Sequence, residues 1–172
     1  MVSKSRVLMY IGTMTEKDKQ YMSEAIAIAR KGMESNDGGP FGAVIVDRNG
    51  KIVGRGNNKV TSTNDPTAHA EVVAIRDACK NLNSFQLEGC TVYTSCEPCP
   101  MCLGAIYWAR PERIFFAAGR EDAAAIGFDD DFIYKEIPLP VKDRQIATLQ
   151  LSREEGVAVF NSWANKADKI KY

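Results

Sequence analysis

Two short stretches hold residue types that can do chemistry: His69-Ala70-Glu71, and Pro98-Cys99-Pro100-Met101-Cys102. Imidazole nitrogen and thiolate sulfur are donors that zinc prefers, in a tetrahedron whose fourth position stays with water when the site is catalytic. One histidine and two cysteines, His69, Cys99 and Cys102, supply three donors and leave that position open. Cys99 and Cys102, three apart, project to one side of a first helical turn. Unpaired amide N–H groups and the helix dipole favour thiolates there, and Pro98 and Pro100 are tolerated at a helix start. Two thiolates and a neutral imidazole leave the metal a modest Lewis acid, so a carboxylate beside it that moves protons, Glu71, makes chemical sense. Positions 69 and 71 do not share a face inside a helix. At a helix start they can converge, His69 on the metal and Glu71 on its open side.

Two other readings use the same residues. A structural site closes with a fourth ligand, and Cys96 stands three residues before Cys99. Alternatively, the C-x-x-C pair is redox-active and the chain's one histidine a coincidence. Cys96 sits at the end of a predicted strand, before the turn that aims the other two. It reads, with Cys79 and Cys90, as a small buried residue.

The elements that must position these groups follow from pattern. Thr15 can cap a helix over 16–31 with Tyr21, Ala25, Ile28 and Ala29 on one stripe. The cluster 36–40 breaks it. Apolar runs at 43–47 and 52–54 around Asn49-Gly50 predict a hairpin with a type I′ turn. A polar loop over 57–66 leads to a helix over 68–80 carrying Val72, Val73 and Ile75. A strand over 90–95 leads to a helix that Pro111 stops, then a strand over 113–118 and a short helix over 121–126. Residues 127–134 read as an acidic-aromatic loop, 146–151 as a last strand and 153–169 as a terminal amphipathic helix. Strands alternating with helices place the chain in the α/β class, a three-layer α/β/α fold around a mixed sheet of about five strands.

Composition narrows the partners. The 172 residues are 45% hydrophobic and 26% charged, with 22 Lys plus Arg against 22 Asp plus Glu. That excludes disorder and argues against a surface built for nucleic acid or anionic lipid. No apolar run reaches the roughly 18 residues that cross a membrane, and the first residues lack a secretory pattern. Five cysteines, three of them within seven residues, suit a metal better than a disulfide framework. The expectation is a cytoplasmic chain with a single domain over 15–172 and an extension over 1–14.

H-x-E followed by P-C-x-x-C is a signature of zinc-dependent nucleobase deaminases. The stretches 65–76 and 95–110 resemble the cytidine-deaminase superfamily. Longer text resembles one branch, the bacterial guanine deaminases: Gly38-Gly39-Pro40-Phe41-Gly42-Ala43, Asn57-Asn58, Asn64-Asp65-Pro66-Thr67-Ala68-His69-Ala70-Glu71 and Thr94-Ser95-Cys96-Glu97-Pro98-Cys99-Pro100-Met101-Cys102. So do Gly104-Ala105-Ile106-Tyr107-Trp108, the run from Gly127-Phe128-Asp129-Asp130 through Tyr134 to Ile137, and the terminal Tyr172. The resemblance covers about 16–172 and is weak over 138–150.

The resemblance implies hydrolytic deamination of guanine to xanthine and ammonia at C2, with one Zn2+ per subunit and Glu71 carrying protons. It implies that Asp130 helps recognise guanine and protonate the leaving amine. Asn58 would hydrogen-bond the ring, Ala70 would border the substrate, and Phe41 and Trp108 would wall the pocket. It also implies a homodimer whose C-terminal segments cross over, Tyr172 completing the partner's site. By residue type alone, Phe41 and Trp108 read as core, Asp129 to Asp131 as a solvated turn and Tyr172 as a frayed end. Other functions fit the same signature: a tRNA adenosine deaminase, a deaminase of guanosine, cytosine or a pterin, or a zinc-stabilised binding domain.

Overall fold

Thr15 begins the first helix with a reciprocal cap. Its hydroxyl accepts from the Asp18 N–H at 3.1 Å, and its own N–H donates to Asp18 Oδ2 at 2.8 Å. In this computed structural model, which describes residues 14–128 and 130–171, that helix, α1, spans Glu16–Glu34. Ala25 and Ala29 are buried and Tyr21 and Ile28 pack beside them, the stripe the periodicity predicts. All of the expected extension except Met14 lies outside the described residues.

Strands β1 (Gly42–Val46) and β2 (Ile52–Asn57) pair antiparallel, and β1 pairs on its other side with β3 (Thr91–Cys96), again antiparallel. Strand β4 (Arg113–Ala118) runs parallel to β3, so the order is β2-β1-β3-β4. The hairpin turn is not type I′, which needs positive φ at both central residues. Within 47–51 only Gly50 has it, at 82°. The longer loop is held instead by Asp47, whose Oδ1 accepts from the N–H groups of Asn49 and Lys51, both at 2.9 Å.

Alternation along the strands sends Ala43, Ile45 and Val92 to one face and Val44, Val46 and Tyr93 to the other. Helix α1 covers the second face. The first is covered by α3 (Ala70–Leu82) and α4 (Pro100–Ala109), giving the three-layer α/β/α arrangement. The α3 face against the sheet is made of Ala70, Ala74 and Ala78, all fully buried, rather than its valines. Gly54 and Gly56 are the reason: a Cβ on them would come within 2.4 Å of the Ala74 carbonyl oxygen and 2.2 Å of that of Ala70.

Tyr93 fastens α1 to the sheet, its hydroxyl donating to Asp18 Oδ1 at 2.5 Å. Burial pushes the Asp18 carboxyl up, but the hydrogen bonds from Tyr93 and Thr15 outweigh it and hold the group below the ordinary aspartate range. A carboxylate depressed in the fold contributes stability above its unfolded pKa that is lost as pH falls through the lower folded value. Below about pH 4, the melting temperature of the wild type is therefore expected to fall more steeply than that of Tyr93→Phe. Parallel curves would contradict this role.

Four expectations for the rest of the chain are corrected. The polar loop after β2 contains a helical turn, α2 (Val60–Thr63). Helix α5 (Arg120–Ala125) is followed not by an open loop but by α6 (Asp131–Glu136). No strand forms over 146–151, so the sheet has four strands among the described residues. Its apolar residues have no sheet edge beside them in one chain: Ile146 is 73% exposed and Leu149 and Leu151 are 90% exposed. The terminal helix α7 (Arg153–Asn165), shorter than expected, has no buried residue.

Candidate active site

The topology gathers one set of strand ends. Because β1 opposes β3 and β2 opposes β1, the start of β1 and the end of β2 lie beside the carboxyl ends of the parallel pair β3 and β4. Phe41 precedes β1, Asn58 follows β2, Cys99 follows β3 and Arg120 follows β4. Crevices at such carboxyl ends are where α/β sheets bind ligands. Here they border a cavity of about 480 Å3 whose walls include Phe41, Asn58, His69, Glu71, Cys99, Phe128 and Asp130.

Two helix starts supply the donors. Asp65 shapes the approach to α3, its Oδ1 accepting from the N–H and hydroxyl of Thr67 at 2.8 and 2.6 Å. His69 is the N-cap of α3, with extended φ and ψ of −68° and 155°. Glu71 is already in the first turn. The break between extended and helical backbone brings both side chains into the cavity, which two interior helical positions could not do. Cys99 likewise caps α4, with Pro100 at the first helical position and the Cys102 N–H 3.5 Å from Cys99 Sγ.

His69 Nδ1 lies 3.6 Å from Cys99 Sγ and 3.5 Å from Cys102 Sγ. A tetrahedron with Zn–S near 2.3 Å and Zn–N near 2.05 Å separates nitrogen from sulfur by about 3.6 Å. The three donor atoms lie within 4.8 Å of one another, and Cys96 does not join them. Its thiol donates to the Gly119 carbonyl oxygen at 3.7 Å. Three donors without that fourth would leave a zinc ion held here one position for water.

Charge makes the same demand. Hydrogen bonding from Cys102 and then His69 pulls the Cys99 thiol down to about 4, while the bond to Cys99 and burial push Cys102 up. The bond to Cys99 also raises the His69 pKa. Desolvation raises that of Glu71, which is 6% exposed. Two thiolates and a carboxylate in one buried spot repel one another, and a divalent cation is what allows them to coexist ionised.

Asn58 is oriented by its surroundings. Its Oδ1 accepts from the N–H groups of Gly39 at 3.3 Å and Val60 at 3.1 Å, which leaves the Nδ2 donor for the cavity. Phe41 meets Phe128 edge to face with ring centroids 4.8 Å apart. Asp130, at the start of α6, with Glu97 and Arg120, adds charged groups to the cavity lining. Tyr134 donates to the Pro98 carbonyl oxygen at 3.3 Å, and the Arg120 guanidinium lies over its ring.

Of the expected site residues, His69, Cys99, Cys102, Glu71, Asn58, Phe41 and Asp130 converge. Trp108 does not: it is 64% exposed on α4 and is not among the residues lining this chain's cavity. Cys102 and Ile106 set the buried side of that helix, and Trp108 is turned away from it. Ala70 is fully buried in the core beneath the sheet, so its methyl is not a wall. Its place in the first turn leaves its backbone N–H without an intrahelical acceptor. Tyr172 lies outside the described residues.

Two residues the pattern did not single out belong here. Phe128 lines the cavity beside Phe41 and sits in a stretch already conspicuous for aromatics and acids. Thr94 is 1% exposed and donates to Glu71 Oε1 at 3.1 Å. A hydroxyl on the face shared with Val92 was its available signal.

Comparison with known proteins agrees with this geometry. Residues 15–118 match the family described as the cytidine and deoxycytidylate deaminase zinc-binding region. Guanine deaminase of Bacillus subtilis is 55% identical over 152 residues, 88% of this chain and 97% of that one. The crystal structure of a Bacillus subtilis guanine deaminase superposes with a TM-score of 0.87 at 53% identity, covering 92% of this chain and 99% of that chain. The tRNA-specific adenosine deaminase of Bacillus subtilis is 44% identical over 102 residues, 59% of this chain and 62% of that one.

Proposed function

Because this chain belongs to the zinc-binding cytidine and deoxycytidylate deaminase family, we propose that its reaction is the hydrolysis of guanine to xanthine and ammonia. The observation that carries the choice of substrate is where the similarity extends. The match to guanine deaminase covers 88% of the chain and so takes in Phe128 and Asp130, cavity residues beyond the part that defines the family. The match to the tRNA deaminase covers 59%. Equal numbers of cationic and anionic side chains also disfavour a surface for RNA phosphates.

Zinc held by His69, Cys99 and Cys102 would supply Lewis acidity, lowering the pKa of water at the open position. Glu71 would carry two protons in turn: one from the attacking water to the ring nitrogen beside C2, and a second from the new C2 hydroxyl, as it becomes the carbonyl, to the nitrogen that leaves as ammonia. Asp130 takes part in that last transfer and pairs with the donor edge of the base. Asn58 Nδ2 donates to a ring acceptor, and Phe41 and Phe128, packed edge to face, form an apolar wall beside the purine. A base with a different edge leaves buried groups unpaired, which is how such a pocket discriminates. Turnover in 18O-water should yield one ammonia per xanthine and one 18O in the xanthine; xanthine without label would contradict hydrolysis.

Removing an aromatic wall costs contact area without touching proton transfer. Phe128→Ala is expected to raise KM for guanine by about tenfold and to change kcat less. A loss confined to kcat would speak against a wall.

We also propose that two copies exchange their C-terminal segments. Helix α7 exposes Phe160 at 73%, Val159 at 66% and Trp163 at 45%, more than a helix against its own core would leave. The segment before it is equally uncovered, and Phe116 on β4 is half exposed. In the exchanged dimer Tyr172 closes the partner's cavity and leaves little room for a ribose on N9, which favours the free base. Deleting 167–172 should lower kcat/KM for guanine by at least about tenfold while the mass in solution stays that of two chains. Unchanged kinetics would remove Tyr172 from the site.

Among the described residues no helix is long and apolar enough to cross a membrane. None of the five cysteines is in a disulfide, which suits the reducing cytoplasm, the compartment this reading implies.

A further inference from the structure

Thr94 lies in β3 on the face that Ala43, Ile45 and Val92 make apolar. At 1% exposure its hydroxyl is cut off from water, where an unbonded hydroxyl is costly. Valine has the same shape without that cost. The bond the hydroxyl makes is to Glu71 Oε1, at 3.1 Å, and both partners are buried.

That bond settles something packing cannot. The last torsion of a glutamate is broad and roughly twofold, so neighbouring atoms alone do not choose which oxygen points where. With Oε1 taken by Thr94, Oε2 is turned to the donor cluster, 3.4 Å from Cys102 Sγ. The two oxygens of one carboxylate are thereby given different neighbours.

We propose that Thr94 is a positioning residue for this reaction: by holding Oε1 it reserves Oε2 of Glu71 as the atom that collects and delivers protons. This rests on the deaminase reading above. Thr94 touches neither substrate nor metal and acts only through Glu71. Its influence should appear in kcat and leave KM and zinc content alone.

The test compares Thr94→Val and Thr94→Ser with the wild type in the zinc-loaded full chain, with guanine as substrate. Thr94→Val should lower kcat by about 10- to 100-fold, the worth of a buried hydrogen bond to a charged group. KM should stay within about twofold and zinc at one per chain. Thr94→Ser, which restores the hydroxyl, should recover kcat to within about threefold. In a Glu71→Gln background, Thr94→Val should add almost nothing, because the group it serves is already disabled.

An undiminished kcat in Thr94→Val overturns the proposal. So does a serine variant as slow as the valine one, or a full additional loss in the Glu71→Gln background. A crystal structure of Thr94→Val tests the same idea without turnover: the Glu71 carboxylate is expected to rotate about its last torsion. A carboxylate left in place overturns the proposal even if the wild type proves inert toward guanine, an outcome that would sink only the substrate reading.

Discussion

Glu71→Gln should bind zinc as the wild type does, melt within a few degrees of it, and deaminate guanine about a thousandfold more slowly, or worse. That factor corresponds to about 4 kcal/mol of barrier. The amide keeps the size of the carboxylate and can still accept from Thr94, so the buried cluster is not emptied. What it loses is a site that takes a proton and gives it back. Glu71 is not one of the three donors that lie within 4.8 Å of each other, so metal content is the control that separates this role from ligation. A variant with intact turnover would remove Glu71 from proton transfer. A variant that lost zinc would make Glu71 a ligand.

His69→Ala should fail in the opposite order, by losing the metal first. Zinc per chain is expected to fall from about one to below about a tenth, and deamination with it, because the remaining two donors cannot hold a tetrahedral site. Cys102→Ser, nearly equal in volume at a position with no exposure, should behave the same way. Metal bound only to the folded state stabilises it by mass action. A chelator should therefore lower the melting temperature of the wild type and leave that of His69→Ala where it stands. If the wild type melts alike with and without chelator while its zinc is removed, the site is too weakly coupled to the fold for this account.

Much of this site is legible along the chain because its chemistry is local. His69 and Glu71 are two apart and Cys99 and Cys102 three apart, each pair at a helix start, the second marked by Pro98 and Pro100. The expected three-layer order also holds, since the apolar runs of β1, β3 and β4 and the stripe of α1 are strong local patterns. What the pattern does not fix depends on distant parts of the chain. Trp108 and Phe128 are both aromatics close to the motifs, and only the packing of α4 decides that Cys102 faces in and Trp108 out. The Thr94 bond spans 23 residues of sequence and has no periodic signature. The strand expected over 146–151 has apolar alternation but no neighbour within one chain, and a strand without a neighbour does not form. That same unused surface is what the proposed exchange of segments would cover.

The most direct test of the central claim is ammonia release from the zinc-loaded protein presented in parallel with guanine, guanosine, adenine, cytosine and a tRNA anticodon stem-loop. This account predicts turnover of guanine, with guanosine and the other bases slower by orders of magnitude and the stem-loop untouched. Deamination of the stem-loop with guanine inert would leave the zinc centre standing and contradict the pocket.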